Sequence, residues 1–242
     1  MDPLLVAAAS GMKTRMASLD MLANNLANAG TTGYKSDREF YNLYEEALPL
    51  VQSQWTDFSQ GSLTPTGNPL NVALSGKGLF ALNAPAGTVY TRNGDFRISK
   101  TNQLETPEGY TIRNVQDQGR PITVDPLQPV DIYKDGTVSQ GGQSVGLIEV
   151  SALDVPNTLS KLRNGYYTPL DKTAAAPKAD NVELRQGQLE QSNVEPANSA
   201  VRLIGVMRQF EMMQKAMTLG NQMNQSAIQD VAKSVSGENQ ST

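Results

Sequence analysis

Met207-Arg-Gln-Phe-Glu-Met-Met-Gln-Lys-Ala-Met-Thr-Leu-Gly-Asn-Gln-Met223 carries five of the chain's nine methionines, and the other four lie in residues 1–21. Both stretches have helical periodicity. The sequence between them is rich in Gly, Pro, Thr and Val, with turn signals at short intervals. The two ends therefore resemble each other and differ from the middle. This pattern predicts an α+β protein: N- and C-terminal helices paired in a coiled-coil-like layer, with a central, mostly antiparallel β domain looped out from it. The expected layout is a discontinuous terminal helical domain over 1–35 and 188–242, a spacer over 36–60 and a β domain over 61–187.

Around the opening stretch, Leu203, Val206, Met207, Phe210, Met217 and Ile228 form one apolar stripe of a helix. Val201, Met212, Leu219 and Met223 form a second, about 180° round the wheel and bordered by Arg208 and Lys215. A helix in a simple hairpin needs one apolar face; one with two asks for neighbours on both sides. Gln214, Asn221 and Asn224 interrupt the seam, as polar residues that set register and partner choice do in coiled coils. Methionine suits imperfect surfaces because its unbranched chain adapts. The helix is expected to begin near Pro196, with Asn193 or Glu195 as its cap, and to run to about Val231. The polar tail after Lys233 reads as a frayed end.

At the other end Leu5, Met12, Leu19 and Leu26 recur every seven residues. Met16 and Leu22 flank the same face, so these residues are candidates for packing against sister helices. Pro3 suits a first turn. Asn28-Ala-Gly30 predicts the end of a helix of about 25 residues, near 40 Å long, with Gly30 as a left-handed cap. Gly11, Gly205 and Gly220 weaken helices by about 1 kcal/mol each but permit close backbone approach.

In the middle, Gly78-Leu-Phe-Ala-Leu82 and Thr88-Val-Tyr-Thr91 flank Pro85 and Gly87 as a hairpin would. Asn93-Gly94 predicts a second tight hairpin. Pro107-Glu-Gly109 and Asp135-Gly136 predict turns, and Gly146-Leu-Ile-Glu-Val150 a strand.

Composition narrows the function. The 242 residues carry a net charge of −4 and no strongly basic patch, which argues against nucleic acid as a partner. There is no cysteine and no histidine, so disulfides, thiolate metal sites and the commonest general base are absent. No catalytic residue, metal ligand or cofactor is expected. Gly76-Lys-Gly78 lacks the rest of a phosphate loop and reads as a turn leading into a strand. Asp131, Asp135 and Gly136 lack calcium-loop spacing, and Glu105 and Glu108 read as solvated turn residues. Apolar runs fall short of the roughly 20 residues that membrane insertion needs, and the N-terminus is a poor secretory signal.

Asn24-Asn-Leu-Ala-Asn-Ala-Gly-Thr-Thr-Gly-Tyr-Lys35 resembles the N-terminal signature of bacterial flagellar rod and hook proteins. Its Asn24, Asn25, Asn28, Gly30, Gly33 and Tyr34 are the family-motif residues. Three more segments are similar to that family in the same order: Thr66–Leu74 followed by Gly76–Phe80, Tyr90–Phe96, and Gly187–Val194. The Met-Asp start, the short Ser36–Gly61 spacer and Arg208–Lys215 side with proximal-rod members, with distal-rod or hook-type members as the alternative. Leu79 departs from the family, which usually has an aromatic there.

The resemblance implies a non-enzymatic structural subunit of the basal-body rod, which spans the periplasm as a hollow helical axle. Its partners would be copies of itself and other rod proteins, with the terminal helices inside and the β domain outside. Delivery would be through the flagellar type III export apparatus, in an unfolded or nearly unfolded state. Ordering residues costs about 1–2 kcal/mol each, so helices with one face uncovered are expected to be partly disordered until docked. The competing readings are a β-domain carbohydrate-binding adhesin, disfavoured because the single Trp55 lies outside the β middle, and a membrane-surface protein, disfavoured by the lack of Lys/Arg on the helices' polar faces.

Overall fold

The computed structural model describes residues 3–41, 51–152, 159–170, 177, 179 and 181–238. It is an α+β protein. Helix α1 spans Pro3–Ala27 and helix α2 spans Pro196–Glu238, with short strands between them. At 1.5 Å per residue the 43-residue α2 is about 65 Å long. It continues past Val231 into the polar segment expected to fray, as far as Glu238; residues 239–242 lie outside the described residues. The backbone closes two compact units: Met1–Asn24 with Glu39–Gln54 and Pro196–Thr242, and Asn25–Arg38 with Trp55–Glu195.

In the first unit, the buried face of α1 is not the seven-residue apolar series. It is Gly11, Thr14, Ser18, Met21 and Leu22, spaced by threes and fours. The Ser18 hydroxyl donates to the Thr14 carbonyl (3.2 Å) and reaches Glu39 Oε2 (2.6 Å). Small residues on this face let a neighbour come close. Met213 of α2 lies over Gly11, where an added Cβ would meet the methionine Cε at 3.4 Å. Nothing lies within 4 Å of such a Cβ at Gly205 or Gly220.

In the second unit, the strand Leu79–Ala84 is the spine of the main sheet. It pairs with Gly87–Thr91 through a two-residue turn at Pro85-Ala86, and on its other edge with Thr111–Ile112 and Val150–Ser151. The sheet extends through Tyr166–Pro169 and Leu159–Lys161 on one side and Leu104–Glu105 and Arg97–Ile98 on the other. Every strand pair with a described register is antiparallel. Because side chains alternate along a strand, the spine is buried on both faces. Phe80 and Leu82 join the main core, where Phe80 meets Phe96 edge-on at 5.1 Å. Leu79 and Ala81 pack with Tyr90, Tyr167 and Phe58. Leu79 thus has an aromatic setting although it is not aromatic itself.

Asn93-Gly94 does not form the expected hairpin. The strands on either side of it do not pair with each other, and neither residue has the positive φ such a turn requires. Gly94 serves close approach instead: its carbonyl accepts from Val72 N–H (2.9 Å), and an added Cβ would fall 1.6 Å from the Val72 oxygen. The glycine was a sound signal, but for contact with another chain segment rather than for reversal.

Candidate functional site

The four motif segments converge, within the second unit, on one buried carboxylate. Glu190 ends the strand Gln188–Glu190, which pairs with Leu63–Pro65. Its Oε1 accepts from Lys35 Nζ (2.6 Å) and from Gly61 N–H (2.8 Å). Its Oε2 accepts from Arg92 Nε (2.6 Å). The Lys35 and Glu190 side chains are fully buried and Arg92 is 2% exposed. Arg92 turns its remaining nitrogens to the carbonyls of Gly76 and Gly78, and Lys35 also donates to Ser59 O (2.6 Å). The glycines of Gly76-Lys-Gly78 thus present carbonyls to a guanidinium, which is the opposite of phosphate binding.

Two buried cations share one carboxylate, so backbone carbonyls must take up the remaining donors. Burial holds the Lys35 ammonium below the usual lysine range, and Glu190 draws it part of the way back. Removing one member of a buried group of this kind strands the others, at a cost of roughly 3–5 kcal/mol. The cluster ties residue 35 to residue 190, and so fixes where both terminal segments leave the β framework.

The segment after α1 is held by side chains as much as by backbone. Asn25 Oδ1 accepts from the Tyr34 hydroxyl (3.1 Å) and Asp37 N–H (2.9 Å), while Asn25 Nδ2 donates to Asp37 O (2.8 Å). Thr31 donates to Asn28 Oδ1 (3.2 Å). Gly33 has φ +67°, donates to Glu190 O (2.7 Å), and leaves no room for a Cβ, which would lie 2.5 Å from Asn93 N. Gly30 is not left-handed and has nothing within 4 Å of a built Cβ. The expected left-handed cap at Gly30 is therefore wrong. The chain leaves the helix through tight turns donating back to Asn25, Leu26 and Asn28, and the left-handed residue comes three positions later.

Lys161 Nζ sits 4.1 Å from the Tyr34 ring centroid, and donates to Lys35 O and Asp37 Oδ2 (both 2.8 Å). Burial is the main cause, and Asp37 the lesser one, of a Tyr34 hydroxyl pushed well above the usual range. Asn193 does not cap α2. Its amide bridges Ser36 N–H (2.8 Å) and Asp57 O (2.7 Å), leaving the position before Pro196 to Glu195.

The candidate packing residues are scattered in exposure. Leu22 is buried; Met12, Leu19 and Leu26 are half-buried; Met16 is exposed; the side chain of Leu5 lies outside the described residues. On α2, Leu203, Phe210 and Met217 are half-buried, in line with Val206 and Met213. Met207, Met212, Leu219, Met223 and Ile228 are exposed. Asn24 is exposed and Asn28 half-buried.

Glu105 and Glu108 are not simply solvated: Glu105 pairs with Arg97 (2.9 Å), and Glu108 accepts from the Tyr166 hydroxyl. Among the described residues, no group of three or more acidic side chains is placed to hold a metal. The Lys35–Glu190–Arg92 cluster was missed in the sequence, although all three residues lie inside the motifs. No local signal marks them: Arg92 lies between Thr91 and Asn93, and Glu190 between Leu189 and Gln191, in stretches where a solvated charge would look the same.

Three family models match in chain order: a flagella basal body rod protein model over residues 5–35, the flagellar hook protein FlgE/F/G D1 domain over 73–140, and the flagellar basal body rod FlgEFG protein C-terminal over 185–230. Flagellar basal-body rod protein FlgF of Caulobacter vibrioides is 34% identical, across 96% of this chain and 99% of its own length. FlgF of Mesorhizobium japonicum is 33% identical, across 87% of this chain and 89% of its own. FlgG of Caulobacter vibrioides is 28% identical, across 92% and 97%. With matches at both ends and in the middle, and with their signatures meeting at one buried cluster, the chain belongs to the family of bacterial flagellar basal-body rod proteins, as a structural component of the rod.

Proposed function

We propose that this subunit polymerises through its terminal helices, with copies of itself and with other rod proteins, into a coiled-coil-like inner layer of a hollow shaft. In that arrangement the β domain forms an outer layer. The assembly domain consists of 1–35 and 188–242, with Leu5, Met12, Met16, Leu19, Leu22 and Leu26 facing the α2 stripes of the same and neighbouring chains. One observation carries this reading. On α2, Val201 is 70%, Met212 61%, Leu219 59% and Met223 73% exposed, on the side opposite the half-buried Leu203, Phe210 and Met217. Large apolar side chains in a row on one helix face mark a surface meant to be covered.

The subunit acts by packing and carries no chemistry, and it reaches its place through the type III export apparatus. A cysteine-free chain, which no disulfide can lock into a fold, suits passage in an extended state. The test is the double variant Met212→Lys with Leu219→Lys. Sedimentation should show loss of assembly, with the near-UV signal of the β unit retained and motility lost on complementation. Wild-type assembly by this variant would sink the reading.

A further inference from the structure

The second unit carries a projection and a hollow, rooted near the two ends of the strand Val72–Ser75. The projection is the loop Asp125-Pro-Leu-Gln-Pro129. Leu127 at its tip is 92% exposed, the most exposed large apolar side chain among the described residues. Yet the loop is built to hold a shape. Asp125 Oδ1 accepts from Leu127 N–H (2.9 Å), and its Oδ2 accepts from the Gln128 amide (3.0 Å). From beneath, the buried Gln140 donates to the carbonyls of Asp125 (2.8 Å) and Gln128 (3.1 Å) and accepts from Asp125 N–H (2.7 Å). Proline on both sides of the Leu-Gln pair stiffens it further. A rigid support under a bare leucine is a contact that has already met its ordering cost.

The hollow is a cavity of ≈490 Å³ walled by Trp55, Phe58, Ser59, Gln60, Gly76 and Lys77. Gln60 braces its floor, donating to Leu74 O (3.2 Å) and accepting from Gly76 N–H (3.1 Å). Trp55 and Phe58 make it aromatic, and it has room for a leucine with its flanking prolines. Lys77 on its rim is exposed and makes no ion pair among the described residues. The projecting segment 125–131 carries Asp125 and Asp131, both exposed, and no basic residue. Shape and charge are thus complementary.

Leu127, 92% exposed, does not fill the hollow of its own chain. The strand Val72–Ser75 pairs with Glu183–Gln186, Gln186 facing Val72 and Glu183 facing Ser75. At the Val72 end, Gln186 donates to Val130 O (2.7 Å) and accepts from Ile132 N–H (3.2 Å), which roots the projecting loop there. At the Ser75 end the chain passes directly into Gly76 and Lys77 of the cavity wall. A four-residue strand separates them by about 13 Å. A surface and its complement at different places on one body give a head-to-tail contact, which closes into a ring or repeats as an open filament.

We propose that Leu127 of one copy seats in the Trp55–Phe58 cavity of the next, so that the β units form an axial contact of their own beside the helical layer. This rests on the rod-subunit reading and adds a specific joint to it. The native chain has no cysteine, so two single variants suffice to test it: Ser59→Cys in the cavity wall and Gln128→Cys beside Leu127. Mixed and mildly oxidised as full-length protein, they should give a disulfide-linked heterodimer. A chain carrying both should give a ladder of covalent oligomers, and adding Leu127→Lys should abolish the ladder. Links that survive Leu127→Lys, or that form equally when Thr101→Cys on a separate exposed turn replaces Gln128→Cys, would mark random collision and overturn the joint. Absence of links while wild-type protein sediments as an assembly would overturn it too, and leave the helical layer standing. A wild type that stays monomeric at every concentration, with no links, would overturn both.

Discussion

Gly33 and Gly30 stand three residues apart in one motif and serve different ends. Gly33 combines φ +67° with a backbone contact that excludes any Cβ, because the chain must pass against Arg92 and Asn93 for Lys35 to reach Glu190. Gly30 has an ordinary φ and open space. Gly33→Ala should therefore destabilise the β unit by at least about 1–3 kcal/mol from backbone strain alone. Gly30→Ala should stay within about 0.5 kcal/mol. Denaturant unfolding followed by the tertiary signal would compare them; equal effects would show that the close passage at residue 33 carries no energy.

At the scale of elements, α2 is a helix in excess of its support. Of its inner stripe, Leu203, Val206, Phe210 and Met217 are half-buried but Met207 and Ile228 are exposed, its outer stripe is bare, and Gly205 and Gly220 each weaken it by about 1 kcal/mol. Covering the outer stripe would bury large side chains worth about 1.5–3 kcal/mol each, enough to shift the balance decisively. Amide exchange in α2 should thus be fast in dilute monomer and slow by orders of magnitude in the assembly, while the strand Leu79–Ala84 stays protected in both. Equal protection of α2 in both states would show that the helix is stable alone.

For the whole molecule, pH reports how much polar chemistry is locked inside. Burial raises the hydroxyls of Tyr34, Tyr166 and Tyr167 above their usual range, with Asp37 adding to the shift at Tyr34 and Tyr167 and Glu108 at Tyr166. Their contribution to stability is intact below about pH 10, the unfolded value, and is lost as pH rises beyond it. Lys35 and Lys161 are lowered by burial, so their cost is present at neutral pH and relieved as pH climbs towards about 10.4. The lysines favour folding as alkalinity increases, and the tyrosines oppose it only past pH 10. Stability should hold to about pH 10 and then fall steeply, with part of the tyrosinate absorbance appearing only as the tertiary signal disappears. A smooth titration of all eight tyrosines with no unfolding would contradict this burial.

The α+β organisation, the extent of α1 and the two-faced character of α2 were legible in the sequence, because period and turn chemistry are local properties. The family was legible because its motifs are contiguous. What the motifs do for one another was not. Lys35, Arg92 and Glu190 lie far apart along the chain, and only the fold brings two cations onto one carboxylate. The same limit explains the misread Gly30 and Asn93-Gly94, and why the sequence left open whether Asn193 or Glu195 precedes α2. Each is a sound local signal for a cap or a turn, but which glycine takes positive φ, and which side chain is free to cap, depends on the segment that packs against it. Local physics chose the elements; contacts between residues distant in sequence chose the role of each exceptional residue.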